Sequence, residues 1–313
     1  MKPYHWESHH GNFGDDLNLW LWDFLLPGLR EVHEEMLLVG VGTVLNPVLL
    51  PTGIRKLVIG SGYGYGAPPD ISDSREWDVR CVRGPKTAER VGLPAEKGIV
   101  DPAVMVTEMP EFQNLPKRYK KTFVPHWESA EFGIWQTVCE SAGLTYLDPR
   151  GEAKSVIQAI AQSELIIAES MHGAILADAF RVPWITVSTS RSINDFKWND
   201  WASSVDVTYR PKFVPVSTRA EAIAKNSRFW GVQFRKPESK ASFDHVPASG
   251  VLAHPASPQG GLRGTAKQFL AAPSVLALWR AGRIEPQLSP DGRLDTLKTR
   301  FQEVLEGVRR DYF

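Results

Sequence analysis

The sequence predicts an α/β protein made of two successive doubly wound parallel sheets, with a helical extension at its carboxyl end. Three observations carry that expectation. Short apolar runs alternate with stretches of helical spacing, a polar and basic segment interrupts the alternation over residues 107–121, and the same alternation then restarts. Strands that alternate with helices pair in parallel, because each crossover helix carries the chain back to the same end of the sheet.

In the first half, Glu35–Val41 contains the continuous apolar run Met36-Leu37-Leu38-Val39, which reads as a buried strand. Lys56–Ile59 is a second such run, and Val79–Val82 a third. Pro85–Val91 follows with helical spacing and Gly92 as its stop. Between an amino-terminal strand and Glu35, the segment Asp16–Leu26 places Leu17, Trp20, Leu21, Phe24 and Leu25 on one helical face. Thr107–Lys121 is polar, basic and contains proline, as interdomain linkers do.

After it come a strand at Thr122–Pro125, a helix at Gly133–Ala142 and a strand at Thr145–Leu147. Lys154–Ser163 is a helix, Leu165–Ala168 a strand, Ala174–Phe180 a helix and Trp184–Val187 a strand. The expected organisation is a Rossmann-like domain over residues 1–118, a second over 119–235, and an extension over 236–313, the two parallel sheets facing across a cleft. Within 231–262 large aliphatics are scarce and Pro, Ser and Gly abundant, so a long loop is expected. Helices are expected around 265–281 and 290–310. The last carries Leu294, Leu297, Phe301, Val304, Leu305 and Val308 on one stripe that must dock on the rest of the protein.

Composition narrows the function. The 313 residues are 42% hydrophobic and 23% charged, with Lys+Arg and Asp+Glu balanced at 36 each. That balance supplies no global positive field to hold a nucleic acid or an anionic membrane. Two cysteines, Cys81 and Cys139, lie in apolar segments and argue for a reducing compartment over a disulfide framework. Near the start, Tyr4, His5, Glu7, His9 and His10 interrupt the apolar run that a signal peptide needs, and no stretch reaches ~18 consecutive apolar residues. The expected location is the cytoplasm. His5, His9 and His10 lack the helical His-x-x-x-His or Cys-x-x-Cys spacing of a metal site, and none is expected.

The strongest local signal is the strand Leu165–Ala168 running into Glu169-Ser170-Met171-His172-Gly173 at the start of a helix. Ser170 is placed to cap that helix, whose first free N–H groups and dipole favour an anion above the carboxyl end of the strand. His172 adds a titratable group there, and Gly173 permits close backbone approach. A second signal is Gly11-Asn12-Phe13-Gly14-Asp15-Asp16, a tight loop in which Asp15 or Asp16 either caps the following helix or holds an acceptor hydroxyl. A third is the cluster from Gly60 to Gly66. No helix opens directly after it and no acidic residue ends the next strand, so it reads as a wall of the cleft and not as a dinucleotide loop. A fourth is Val82-Arg83-Gly84-Pro85, where the planar donor fork of Arg83 stands at a strand end. Among eleven tryptophans, Trp127, Trp135, Trp198 and Trp201 lie nearest these loops and are the candidates for stacking on sugar rings.

These motifs together resemble the polysaccharide pyruvyl transferases. The resemblance rests on Gly11–Asp16 with Leu17-Asn18, on Val82-Arg83-Gly84, and on Ser170-Met171-His172-Gly173 leading through Ala174–Phe180 to Val182-Pro183. It covers about residues 3–190, and the amino-terminal motif is most similar to the branch that decorates succinoglycan-type exopolysaccharide. The resemblance implies a GT-B-like fold, phosphoenolpyruvate as donor substrate with no cofactor or metal, and a saccharide acceptor, free or lipid-linked, met at the inner face of the membrane. In the family an Arg-Leu-His-like motif contacts the donor. Here Ser170 or Met171 stands where the arginine would be, so another cation must serve, with Arg83, Arg191 and Lys197 as candidates. The roles implied are His172 and Asp15 in catalysis, Arg83, Ser170, Met171, Gly173 and Arg191 at the donor, and Asn12, Gly14, Asp16, Trp127 and Trp198 at the acceptor.

Two other readings fit the same pattern. A GT-B glycosyltransferase would bind a nucleotide-sugar with an acidic residue such as Glu169 or Asp178 on the ribose. A non-catalytic glycan-binding component of polysaccharide assembly would need no donor site at all.

Overall fold

A computed structural model of the chain describes residues 1–7, 9–236 and 269–313. Its frame is a pair of parallel sheets. In the first, β1 (Lys2–Pro3), β2 (Leu37–Val39), β3 (Lys56–Ile59) and β4 (Trp77–Cys81) are hydrogen-bonded in chain order. The second contains β5 (Thr122–Val124), β6 (Thr145–Tyr146), β7 (Ile166–Ala168), β8 (Trp184–Ser188) and β9 (Lys212–Phe213), in the order β6-β5-β7-β8-β9. All neighbours in both sheets are parallel. The central strands are short and mostly apolar, as expected of parallel sheets covered on both faces.

The helices are α1 (Leu21–Leu25), α2 (Pro85–Arg90), α3 (Trp127–Phe132), α4 (Trp135–Ala142), α5 (Ala153–Ala161), α6 (Met171–Ala179), α7 (Asp195–Ser204), α8 (Arg219–Ala224), α9 (Ala272–Ala281) and α10 (Arg293–Tyr312). Every residue of α6 is buried, because the helix is enclosed by β7, α5 and the 3-10 turn Pro102–Glu108. A mostly apolar helix belongs in such a place, its two polar side chains, His172 and Asp178, excepted. Around it one core cluster joins the two halves of the chain, with Leu17, Trp22 and Ile59 in contact with a network that includes Ile175, Trp184 and Phe301.

The expected docking of the last helix is explicit. Leu294, Leu297, Phe301, Leu305 and Val308 of α10 are buried in that shared core. Its end returns to the first sheet, where Tyr312 donates to Asp78 (2.6 Å) and Arg80 to Asp311 (2.7 Å).

Four expectations are corrected. Asp16–Leu26 is not one helix but a 3-10 turn, Asp15–Leu19, followed by α1. The break at Trp20 follows from Asn18, whose side chain is clamped to both the N–H and the carbonyl of Val41 and accepts from the Trp22 indole, which fixes the turn against β2. Gly133–Ala142 is only the second of two helices: Gly133 is extended, and α3 precedes it. Thr107–Lys121 is exposed along most of its length but is not irregular from its start. It begins within 3-10 turns that bury Phe112, and Lys117 is pinned to the carbonyls of Ala161 and Ser163 at 2.8 Å. Residues 231–236 are not all loop, since Val232–Gln233 pairs antiparallel with Arg228–Phe229. The expected loop over 237–262 and the helix start at 265–268 lie outside the described residues. Among the described residues no helix is long and apolar enough to cross a membrane.

Candidate active site

In the five-stranded sheet the chain steps from β5 outward to β6, then returns on the other side of β5 as β7. Such a switch point leaves a crevice above the carboxyl ends of the two central strands, where ligands of open α/β sheets bind. The turn after β5 carries His126 and Trp127, and the turn after β7 carries Ser170, Met171 and His172. Both line a cleft of about 550 Å³. Its opposite wall comes from the first sheet: Asn12 and Asp15 after β1, Thr43 and Asn46 after β2, Tyr65 and Gly66 after β3. A second chamber of about 320 Å³ shares Tyr65, His126, Trp127, Met171 and Lys197 with the first and adds Asn194, Asn226 and Lys236.

Ser170 is extended and its hydroxyl accepts from the Gly173 N–H at 3.4 Å, so the cap expected at the start of α6 is present. Below it, Glu169 turns inward. Its carboxylate accepts from Lys225 (2.7 Å), from Ser129 (2.6 Å) and from the N–H groups of His126 (3.0 Å) and Thr189 (3.1 Å). Burial alone would raise its pKa, but Lys225 and the hydrogen bonds hold the carboxyl well below the usual range. The network locks the β5 and β7 turns to each other, which sets the spacing of the cleft wall.

His172 is 8% exposed and faces the cleft. Burial, then the charges of Lys197 and Arg83, push its pKa down to about 3, so the imidazole is neutral at pH 7. Its Nδ1 edge lies against Gly14: a Cβ at that position would stand 1.9 Å from Nδ1, so only glycine leaves room for the ring. Nε2 points the other way, 3.8 Å from Oδ2 of the fully buried Asp101. On the opposite wall Asp15 accepts from the Asn12 side-chain amide at 2.5 Å. Burial raises the pKa of Asp15 to about 6, against the lowering effects of Lys197 and Asn12. Lys197 lines both chambers, donates to the Tyr65 hydroxyl at 3.1 Å and lies over that ring. The cleft therefore gathers a cation, a capped helix start, a neutral histidine and a carboxyl group of raised pKa.

The other singled-out residues fall in different places. Arg83 is completely buried behind the wall: Nε donates to Asp200 (3.0 Å), Nη1 to Thr43 (2.8 Å) and Nη2 to the Tyr63 carbonyl (3.0 Å). Gly62 is required by this arrangement, since a Cβ there would meet the guanidinium carbon at 2.1 Å. Arg191 is exposed and outside the lining of both chambers. Asp16 pairs with His5 at 3.0 Å, also outside the lining. Gly173 makes its close approach to Val124 of β5, not to the cleft. Trp127 lines both chambers and stacks on His10. Trp198 edges the second chamber but is 1% exposed and stacked on Tyr209, while Trp135 and Trp201 are core residues. The second tryptophan of the large cleft is Trp6, which lies outside the loop motifs singled out in the sequence. Asp101 lies outside them as well: the only signal there was an Asp-Pro pair, which reads as a helix cap.

This chain belongs to the polysaccharide pyruvyl transferases. The family model of that name matches residues 48–191, which span the Gly60–Gly66 wall, Arg83 and the Ser170–Gly173 turn. Over its whole length the chain is 63% identical to the succinoglycan biosynthesis protein ExoV of Rhizobium meliloti (strain 1021), across 316 aligned positions and 100% of both chains. No solved structure matches it.

Proposed function

We propose that the enzyme transfers the pyruvyl group of phosphoenolpyruvate onto a sugar of a bacterial exopolysaccharide, or of its lipid-linked repeat unit, as a cyclic ketal. The observation that carries this reading is the convergence of Lys197, the capped start of α6 and His172 on one wall, facing Asp15 on the other. Phosphoenolpyruvate carries a phosphate and a carboxylate. Lys197 takes the place of the arginine missing from the Ser170-Met171-His172 turn, and the first N–H groups of α6 add uncharged donors.

Beside such an anion the balance at His172 reverses, because nearby negative charge favours the imidazolium. A proton delivered to the methylene carbon of the donor makes C2 electrophilic, and a sugar hydroxyl attacks C2 as its own proton passes to Asp15. The C2–O bond to phosphate then breaks, phosphate leaves, and a second hydroxyl closes the ketal as its proton passes to His172, which the first step left neutral. Asp15, with its raised pKa, suits a base poised near neutrality. Trp6 and Trp127 offer aromatic faces to the sugar. The GT-B-like arrangement of two Rossmann-like domains, with residues 1–118 on the acceptor side and 119–235 on the donor side, is part of the same proposal.

The nucleotide-sugar alternative loses both of the ribose partners named for it. Glu169 is consumed by Lys225 and its neighbours, and Asp178 is buried with one oxygen accepting from the Trp184 indole and the Ser289 N–H. Phosphate release from phosphoenolpyruvate, strictly dependent on an oligosaccharide acceptor, is the expected result. A thermal shift with nucleotide-sugars and none with phosphoenolpyruvate would overturn it.

A further inference from the structure

We propose that Asp101 is the positioning residue of His172, holding its imidazole in the Nε2–H tautomer so that Nδ1 is the nitrogen that works in the cleft. This deepens the role given to His172 above and rests on it.

The argument starts from two atoms. Asp101 Oδ2 and His172 Nε2 face each other at 3.8 Å, both are shielded from solvent, and among the described residues neither has a hydrogen-bond partner. A buried polar atom without a partner is costly, and here each is the nearest remedy for the other. Above the pKa of Asp101, where the carboxylate can only accept, the arrangement that satisfies both puts the ring proton on Nε2, directed at the carboxylate. The 3.8 Å separation is loose, as catalytic hydrogen bonds often are before substrate tightens them.

Capping alone does not account for Asp101. It begins the 3-10 turn Pro102–Glu108, and Oδ1 accepts from the Ala103 N–H at 3.0 Å. A serine or asparagine would cap as well without burying a charge. The second oxygen is the one that faces the histidine, and it does so because that turn packs directly against α6. The surrounding charges fit a shared proton. Arg83 and Asp200 act on Asp101 in opposite senses, and burial sets its pKa at about 6. Lys197 and Arg83 both disfavour a proton on His172. When Nδ1 takes up a proton, the Asp101 carboxylate stands behind the ring to stabilise the imidazolium, as an orienting acid behind a catalytic histidine does.

The first test needs no assay of transfer. In long-range ¹H–¹⁵N spectra of ¹⁵N-histidine-labelled full-length protein, with His172 assigned from His172→Gln, the Nε2–H pattern is expected at pH 7. A Nδ1–H pattern would overturn the proposal even if pyruvyl transfer is confirmed, and the spectrum keeps its meaning if that activity is absent. The second test uses Asp101→Asn, which keeps the capping oxygen. Its His172 signals should shift toward a mixture of tautomers. Its kcat for acceptor-dependent phosphate release should fall at least about tenfold, with KM for phosphoenolpyruvate within about twofold. In a His172→Ala background the same substitution should cost nothing further. An equal loss in both backgrounds would place the action of Asp101 elsewhere.

Discussion

Replacing Gly14 by alanine asks whether the imidazole of His172 works where it stands. Gly14 has φ −71° and ψ −45°, a conformation alanine adopts without strain, so the new methyl group is the whole perturbation. Its Cβ would lie 1.9 Å from Nδ1, 2.4 Å from Cγ and 2.7 Å from Cε1 of His172. To restore a 3.0 Å contact the ring must retreat by about 1.1 Å. Misplacing a catalytic group by about 1 Å costs on the order of 10²-fold in rate. Stability should barely move, since the alanine gains about 0.4–1 kcal/mol through the unfolded chain while the displaced rotamer loses about 0.5–1.5 kcal/mol. The assay is acceptor-dependent phosphate release beside a thermal melt. We expect kcat to drop about a hundredfold with Tm within a few degrees of wild type, and the Gly14→Ala, His172→Ala double variant to match His172→Ala alone. Wild-type turnover by Gly14→Ala would refute the catalytic role of the ring in this position.

Three further outcomes follow from the same geometry. Lys197→Met should raise KM for phosphoenolpyruvate at least about tenfold, the scale of one hydrogen bond to a charged group, and an unchanged KM would show that another cation holds the donor. Lys225→Met strands the Glu169 carboxylate in a dry interior and should cost about 3–5 kcal/mol in urea unfolding, whereas a loss below about 1 kcal/mol would mean that the network is dispensable. Asp101 has a folded pKa of about 6, raised from 3.8, so the folded state loses stability as pH rises through that window and pays the full cost only above it. Asp101→Asn should therefore gain on wild type between pH 4 and 7.5, approaching about 3 kcal/mol, and a difference that stays flat with pH would contradict that burial cost.

What could be read directly was whatever depends on neighbours in the chain. The run Leu165–Ala168 is uniformly apolar because β7 is covered on both sides, and Ser170 caps α6 through a bond to a residue three positions on. The stripe from Leu294 to Val308 likewise announced a docked helix without naming its partner. Asp16–Leu26 misled for a related reason: its apolar spacing is real, but Asn18 spends its side chain on Val41, a contact that no helical periodicity encodes.

The sequence by itself determined the alternation of strand and helix, the order of the loops at the strand ends, and the turn Ser170–Gly173, all properties of short stretches of chain. Only the tertiary structure decided which of the charged and aromatic residues reach the cleft. Arg83 stands at a strand end as expected, yet Asp200, 117 positions away, takes its guanidinium behind the wall and leaves Lys197 as the cation in front. Trp198 disappears onto Tyr209 while Trp6 emerges, and Asp101 meets His172 through the packing of a turn on a helix. The physical reason is the same in each case. A side chain's identity is local, but its burial and its partners are set by contacts between segments far apart in the chain, and those contacts exist only once the two sheets have folded around a shared core.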